Sequence, residues 1–152
     1  MADIEEEHTW DIRSLTPEEV GVVADVLGLA RLYQGDGAYL VAWAGGAPLG
    51  HMHLAFTEPP ELQDLEVRES HRRLGVATAL VEAAEGEARA HGFHEIRLEV
   101  SVFNVAAQAL YRECGYVDAQ LPIRRVRERI ALRTGTIDVD DSLLALTKWL
   151  HG

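Results

Sequence analysis

The segment Arg72-Arg73-Leu74-Gly75-Val76-Ala77-Thr78 has the residue types of an anion-binding turn. Gly75 has no side chain, and Val76 and Ala77 are modest in size, so the backbone can approach a bulky anion closely. A helix starting here leaves its first amides without intrahelical acceptors. Those N–H groups and the helix dipole together make an anion site. Arg72 and Arg73 add positive charge within a chain of formal net charge −11. A pyrophosphate is the natural guest. A P-loop would need a lysine that is absent here, and a dinucleotide fingerprint would need three spaced glycines where only Gly75 stands. The competing reading is an ordinary strand-to-helix turn with a solvated arginine pair.

Two further segments bear on that choice. Under strict alternation Leu62 shares a face with Asp64, whereas Leu65 and Val67 lie on the other face. The apolar register therefore switches within Glu61 to Val67. A β-bulge does this by adding one residue, and it leaves backbone N–H groups free for a ligand. A fully buried strand, in which alternation means little, is the alternative. Asn104 and Tyr111 stand seven residues apart, two turns along one helix face, and can address the same ligand. Asn104 also reads as an N-cap, and Tyr111 as a core aromatic. His51 and His53 share a strand face and read as polar strand residues that could line a cleft. No metal site is expected, because no partner ligand is evident. Cys114, the only cysteine, reads as core, and it excludes an internal disulfide.

The elements that must hold these residues follow from periodicity and punctuation. Ile12 to Leu15 alternates as a short strand. Thr16-Pro17-Glu18-Glu19 opens a helix or broken helix pair running to about Tyr33, with Gly28 as the break. Gln34 to Gly37 is a turn. Tyr39–Ala44 and Leu49–Phe56 read as strands joined through Gly45-Gly46-Ala47-Pro48, and Glu61–Val67 as the next strand. Val76, Leu80, Ala84 and Ala88 recur at helical spacing, giving a helix to His91 that stops at Gly92. Ile96 to Val102 alternates as a strand, and Asn104 to Glu113 is a helix ended by Gly115. Val117–Gln120 and Leu143–Leu150 are the last strands. Leu121 to Asp141 has no clear assignment and reads as a long loop. The order β-α-β-β-β-α-β-α-β-β implies an α/β (α+β) fold with a mixed sheet.

The chain has 152 residues, 47% hydrophobic and 26% charged, which suits one globular domain over residues 11–152 behind an acidic segment, 1–10. The negative charge argues against nucleic acid as a partner. No run is apolar enough to span a membrane, and the acidic start is unlike a signal peptide, so a cytoplasmic location is expected. Arg124-Arg125-Val126-Arg127-Glu128-Arg129 reads as a solvated face.

Together these motifs resemble the GNAT superfamily of N-acetyltransferases. Its signature Arg/Gln-x-x-Gly-x-Gly/Ala reads here as Arg72-Arg73-Leu74-Gly75-Val76-Ala77. It is preceded by Leu65-Glu66-Val67 and followed by Asn104-Val105-Ala106-Ala107, Leu110-Tyr111 and Gly115-Tyr116. The resemblance implies an acyl-CoA N-acyltransferase fold, a central, mostly antiparallel mixed sheet flanked by helices, with acetyl-CoA as cofactor. Main-chain groups of Leu65-Glu66-Val67 would pair with the pantetheine arm, and amides from Arg73 to Thr78 would cradle the pyrophosphate, with Arg72 also binding the cofactor. Asn104 would bind the cofactor's arm, and Tyr111 would stand near its sulfur as the acid. Glu61 matches the position of the basic glutamate in histone-modifying members, with Glu66 and Glu99 as alternatives. The acceptor would be a primary amine that attacks directly in a ternary complex. Its cleft would be either open or completed by a second subunit, so a homodimer is one arrangement the sequence allows. The rival expectation is a non-catalytic acetyl-CoA sensor of the same fold.

Overall fold

The computed structural model describes residues 10–29, 37–72, 75–132 and 135–151. Within them are strands β1 (Asp11–Ser14), β2 (Ala38–Ala44), β3 (Ala47–Ala55), β4 (Glu61–Val67), β5 (Glu95–Ser101), β6 (Val117–Asp118), β7 (Arg124–Leu132) and β8 (Gly135–Trp149). The helices are α1 (Val20–Leu27), α2 (Val76–Ala90) and α3 (Val105–Glu113). The strands form one sheet in the order β1-β2-β3-β4-β5-β8-β6, with β7 also paired to β8. Every pairing is antiparallel except β4 with β5.

Alternation decides which side chains meet which helix. Leu54, Leu62, Ile96, Leu98 and Leu146 share one face of the sheet. They pack against Val76, Leu80, Ala84 and Ala88, the expected stripe of α2, each at most 1% exposed. Leu80→Ala would cost about 2–5 kcal/mol through lost burial and the cavity left behind. The opposite face is covered by α1 only over β1 to β3, where Val23 and Ala24 pack on Tyr39, Val41 and Trp43. Beyond β3 that face carries Glu61, Gln63, Glu95, Arg97 and Glu99, with Ala145 and Thr147 of β8 buried among them.

The helix opening at Thr16 proves to be a short 3-10 turn closed by the expected capping box, and α1 ends at Gly28 in a left-handed conformation. The continuation toward Tyr33 and the turn at residues 34–36 lie outside the described residues. The hairpin between β2 and β3 is tighter than expected: Ala44 pairs with Ala47, leaving only Gly45-Gly46 in the turn.

The largest correction concerns Leu121 to Asp141. It is no loop, for β7 pairs along its whole length with the first part of β8. On one face Arg125, Arg127 and Arg129 stand across from Ser142, Asp140 and Asp138. Ion pairs close at 2.8 Å (Arg125–Asp140) and 2.9 Å (Arg129–Asp138). These are exposed pairs, each worth little alone. Arg125, Arg127 and Arg129 are thus a solvated face, as expected, but of a strand, whereas Arg124 lies on the other face and bonds Glu99.

Candidate active site

The switch of register in β4 is a bulge. Gln63 pairs with His53 and Glu66 with His51, so Met52 alone stands across from both Asp64 and Leu65. Asp64 adopts φ 54°, a left-handed conformation that Asp tolerates at about 1 kcal/mol. The extra residue returns Leu65 and Val67 to the core face, where both pack on the main cluster. β4 and β5 pair only at Glu61–Arg97 and Leu62–Leu98. Past Leu62 the two parallel strands separate, and β4 turns an unpaired edge into the gap.

A groove of about 680 Å³ occupies one side of this opening. Val67, Arg72, Gly75, Ala77 and Thr78 form one wall. Ala106, Ala107 and Leu110 of α3 form the other. Gly75 caps α2 with φ 90°, which explains the glycine, since L side chains rarely adopt that conformation. The N-cap, Gly75, has no side chain to cap α2, and the first helical bond runs from Ala79 N–H to the Gly75 carbonyl. The amides of Val76, Ala77 and Thr78 therefore stand ahead of the helical ladder at the positive end of the dipole. Arg72 reaches back to donate from Nε to the Val67 carbonyl at 3.1 Å, tying the loop to the end of β4. Val76 contributes backbone alone, because its side chain is 1% exposed in the core. Arg73 and Leu74 lie outside the described residues.

Tyr111 follows the groove-lining Leu110 on α3 but is itself buried, 8% exposed, outside the groove's lining, with its ring edge-on to Tyr116 at 6.0 Å. Burial, with the nearby Cys114 thiol, pushes its hydroxyl up to about 12, so it is protonated at neutral pH. Asn104 is the N-cap of α3: its Oδ1 accepts from Ala107 N–H at 3.1 Å. Cys114 is half-buried against the main cluster, and burial raises its thiol, as suits a core residue.

On the opposite side of the opening lies a recess of about 260 Å³ lined by Glu61, Gln63, Asp64, Glu99, Arg124 and Leu143. Glu99 is engaged by Arg124 through two hydrogen bonds, 2.8 and 2.6 Å. Glu61 accepts from Gln63 Nε2 at 2.7 Å and lies within electrostatic reach of Arg124 in the same recess. Glu66 is on the adjoining stretch of β4. Burial raises its carboxyl, Arg72 opposes that, and Asp64 adds to it.

The histidines overturn the cleft-lining expectation. His51 and His53 are 0% and 2% exposed, stacked on Tyr39 at 5.8 and 4.1 Å. Alternation did place them on one face, but only the position of α1 reveals that this face is covered. A cluster that periodicity missed joins buried Glu85 and Tyr116 to the partly buried Lys148. Tyr116 donates to Glu85 at 2.8 Å, and Lys148 donates to the same carboxylate at 3.1 Å. Among the described residues no cluster of metal-ligating side chains occurs, and no helix is long and apolar enough to cross a membrane.

The sheet is thus parted between two parallel strands, and the start of α2 faces the gap. Residues 4–116 match the Acetyltransferase (GNAT) family, and the chain belongs to that family. A mouse (Mus musculus) relative, probable N-acetyltransferase family 8 member 5, is 33% identical over 100 residues. That match covers 60% of this chain and 44% of the relative, so the chain spans less than half the relative's length. The fold is also that of the ribosomal-protein-S18-alanine N-acetyltransferase from Escherichia coli, with TM-score 0.73 and 18% identity over 95% of this chain and 96% of that one. A Bacillus subtilis acetyltransferase solved in complex with CoA matches at TM-score 0.69 and 24% identity, over 93% of this chain and 98% of that one.

Proposed function

We propose that this chain moves an acetyl group from acetyl-CoA to a primary amine by direct attack in a ternary complex. The observation that carries the reading is the parting of β4 and β5 past Leu62–Leu98, with the start of α2 on one side and a carboxylate-lined recess on the other. The free edge of Leu65-Glu66-Val67 pairs with the pantetheine arm like an added strand. The amides of Val76, Ala77 and Thr78, with Arg72, take the pyrophosphate. CoA bound to a Bacillus subtilis acetyltransferase of the same fold supports this cofactor.

The chemistry follows from the groups present. An alkylammonium has a pKa near 10, so the acceptor must shed a proton before it attacks. It enters from the recess, where Glu61 accepts that proton directly or through water. The lone pair attacks the thioester carbonyl, and a backbone N–H near Val67 stabilises the oxyanion. Collapse expels the thiolate, which Tyr111 protonates. Orientation of two bound substrates supplies much of the rate.

The test is thiol release from acetyl-CoA over a panel of spermidine, free amino acids, an aminoglycoside and peptides with free N-termini. At least one amine should be acetylated, and Gly75→Glu should abolish cofactor binding by placing a carboxylate in the anion site at a φ that L residues resist. Tight acetyl-CoA binding with no thiol release from any of these amines would favour the non-catalytic sensor. Unchanged binding by Gly75→Glu would sink the cofactor site itself.

A further inference from the structure

The bulge in β4 has a support that the mechanism above does not use. Its extra residue, Asp64, turns its carbonyl out of the β3–β4 ladder. There the oxygen meets His51 Nδ1 at 3.1 Å. A carbonyl can only accept, so the ring must carry its proton on Nδ1. His51 is 0% exposed, held in a stack on Tyr39 and packed with the strand face under α1. Its Nε2 is buried with no hydrogen-bond partner among the described residues. A buried imidazole with one nitrogen unpaired is costly to keep. Its one bond goes to the residue that forces β4 out of register.

We propose that His51 is a positioning residue for acetyl transfer: its Nδ1–H holds the Asp64 carbonyl and fixes the bulge that aims the Leu65–Val67 backbone at the acetyl thioester. The proposal rests on the acetyl-CoA reading of that strand. His51 touches neither cofactor nor amine. It acts through the backbone, so its loss should be felt by the acetyl group more than by the pyrophosphate end. The groups around the ring are Asp64 on β4, His53 on its own strand and Tyr39 on β2.

His51→Leu and His51→Asn are close in shape, but only the second keeps an N–H where Nδ1 stands. His51→Leu should weaken acetyl-CoA binding about tenfold, the value of one hydrogen bond, while changing CoA affinity less. His51→Asn should restore acetyl-CoA affinity to within about threefold of the parent. Equal losses in both variants would mean that the ring only packs, and would overturn the proposal. So would unchanged acetyl-CoA affinity in His51→Leu. Should His51→Leu fail to fold, nitrogen NMR of the unaltered chain decides. A protonated Nδ1 and a bare Nε2 are expected, and the opposite tautomer would remove the donor and the proposal with it. If the unaltered chain does not bind acetyl-CoA at all, the cofactor reading fails, while the tautomer still reports whether the lock exists.

Discussion

Leu62 on β4 and Leu98 on β5 are the last residues at which these two parallel strands lie hydrogen-bonded side by side. Both side chains are buried in the core beneath α2. The bulge at Asp64 lies two residues past this point, so the strands stop pairing just before the extra residue bends β4. The groove and the carboxylate-lined recess are thus two sides of one gap, which lets a thioester and an amine meet without either crossing the core.

Tyr111 carries the first prediction. Its hydroxyl is raised to about 12 by burial and so keeps the proton that a departing thiolate needs. Tyr111→Phe retains the ring against Tyr116. It should lower kcat by about 100-fold, within the range for a lost general acid, and leave acetyl-CoA affinity unchanged. Thiol-release kinetics alongside equilibrium binding separate the two quantities. A variant with parental kcat would remove Tyr111 from the mechanism.

The two carboxylates of the recess should differ. Glu99 is already engaged by a two-pronged bond to Arg124, whereas the hydrogen bond to Glu61 comes from the neutral Gln63 amide. Glu61→Gln should therefore reduce kcat/KM by about 10- to 100-fold, and Glu99→Gln by less. The reverse order, measured with the same amine, would move the base to Glu99.

What the sequence revealed follows from where one period dominates. Val76 to Ala88 repeats cleanly, and α2 appears where expected. The broken alternation of Glu61 to Val67 was legible as a bulge, because an added residue must flip the apolar set. β7 was not legible. Its arginines face aspartates on β8, and its apolar residues Val126 and Ile130 stand across from Asp141 and Ile137, so local hydropathy showed no face. His51 and His53 were misjudged because a strand face does not announce which helix will cover it. The Glu85–Tyr116–Lys148 contact joins residues 31 and 63 positions apart, beyond the reach of any local pattern.

Asn104 has a demonstrated structural task and a proposed cofactor task, and substitution can divide them. Asn104→Ala removes the acceptor for Ala107 N–H and should cost about 1 kcal/mol of stability. Asn104→Ser keeps a cap of similar strength but shortens the polar reach. If the side chain also binds the cofactor's arm, both variants should lose acetyl-CoA affinity while only Asn104→Ala loses stability. Parental affinity in Asn104→Ser at parental stability would leave Asn104 as a cap alone. Chemical denaturation and equilibrium binding supply the comparison.

Burial of His51 makes a prediction about acid. The native ring is depressed to about 4 from an ordinary value of 6.5, first by desolvation. Between those values the unfolded chain takes up a proton that the native ring refuses. The stability linked to this group is therefore complete above 6.5 and is lost as pH falls toward 4, by about 3 kcal/mol at most. Urea midpoints near neutral pH and at about pH 4.5 should show the drop, and His51→Asn should lack this part of it. An identical acid profile in the variant would mean that other groups account for the drop.

Lys148 is the only lysine in the chain, yet it is turned inward. Its Nζ bonds Glu85 Oε1 at 3.1 Å and the Cys114 carbonyl at 2.8 Å, and Glu85, 3% exposed, also accepts from Tyr116. Desolvating such a group of charges offsets much of their attraction. Removing one partner is worse, because it strands the other. Lys148→Met should therefore cost about 3 kcal/mol, by leaving the Glu85 carboxylate buried without its cation. Replacing the whole cluster by apolar residues of similar shape, as Glu85→Leu, Tyr116→Phe and Lys148→Met together, should cost less than Lys148→Met alone. Denaturant midpoints of the single and triple variants measure this directly. A triple variant less stable than the single one would show that the charged network, rather than the packing around it, holds α2 to β8.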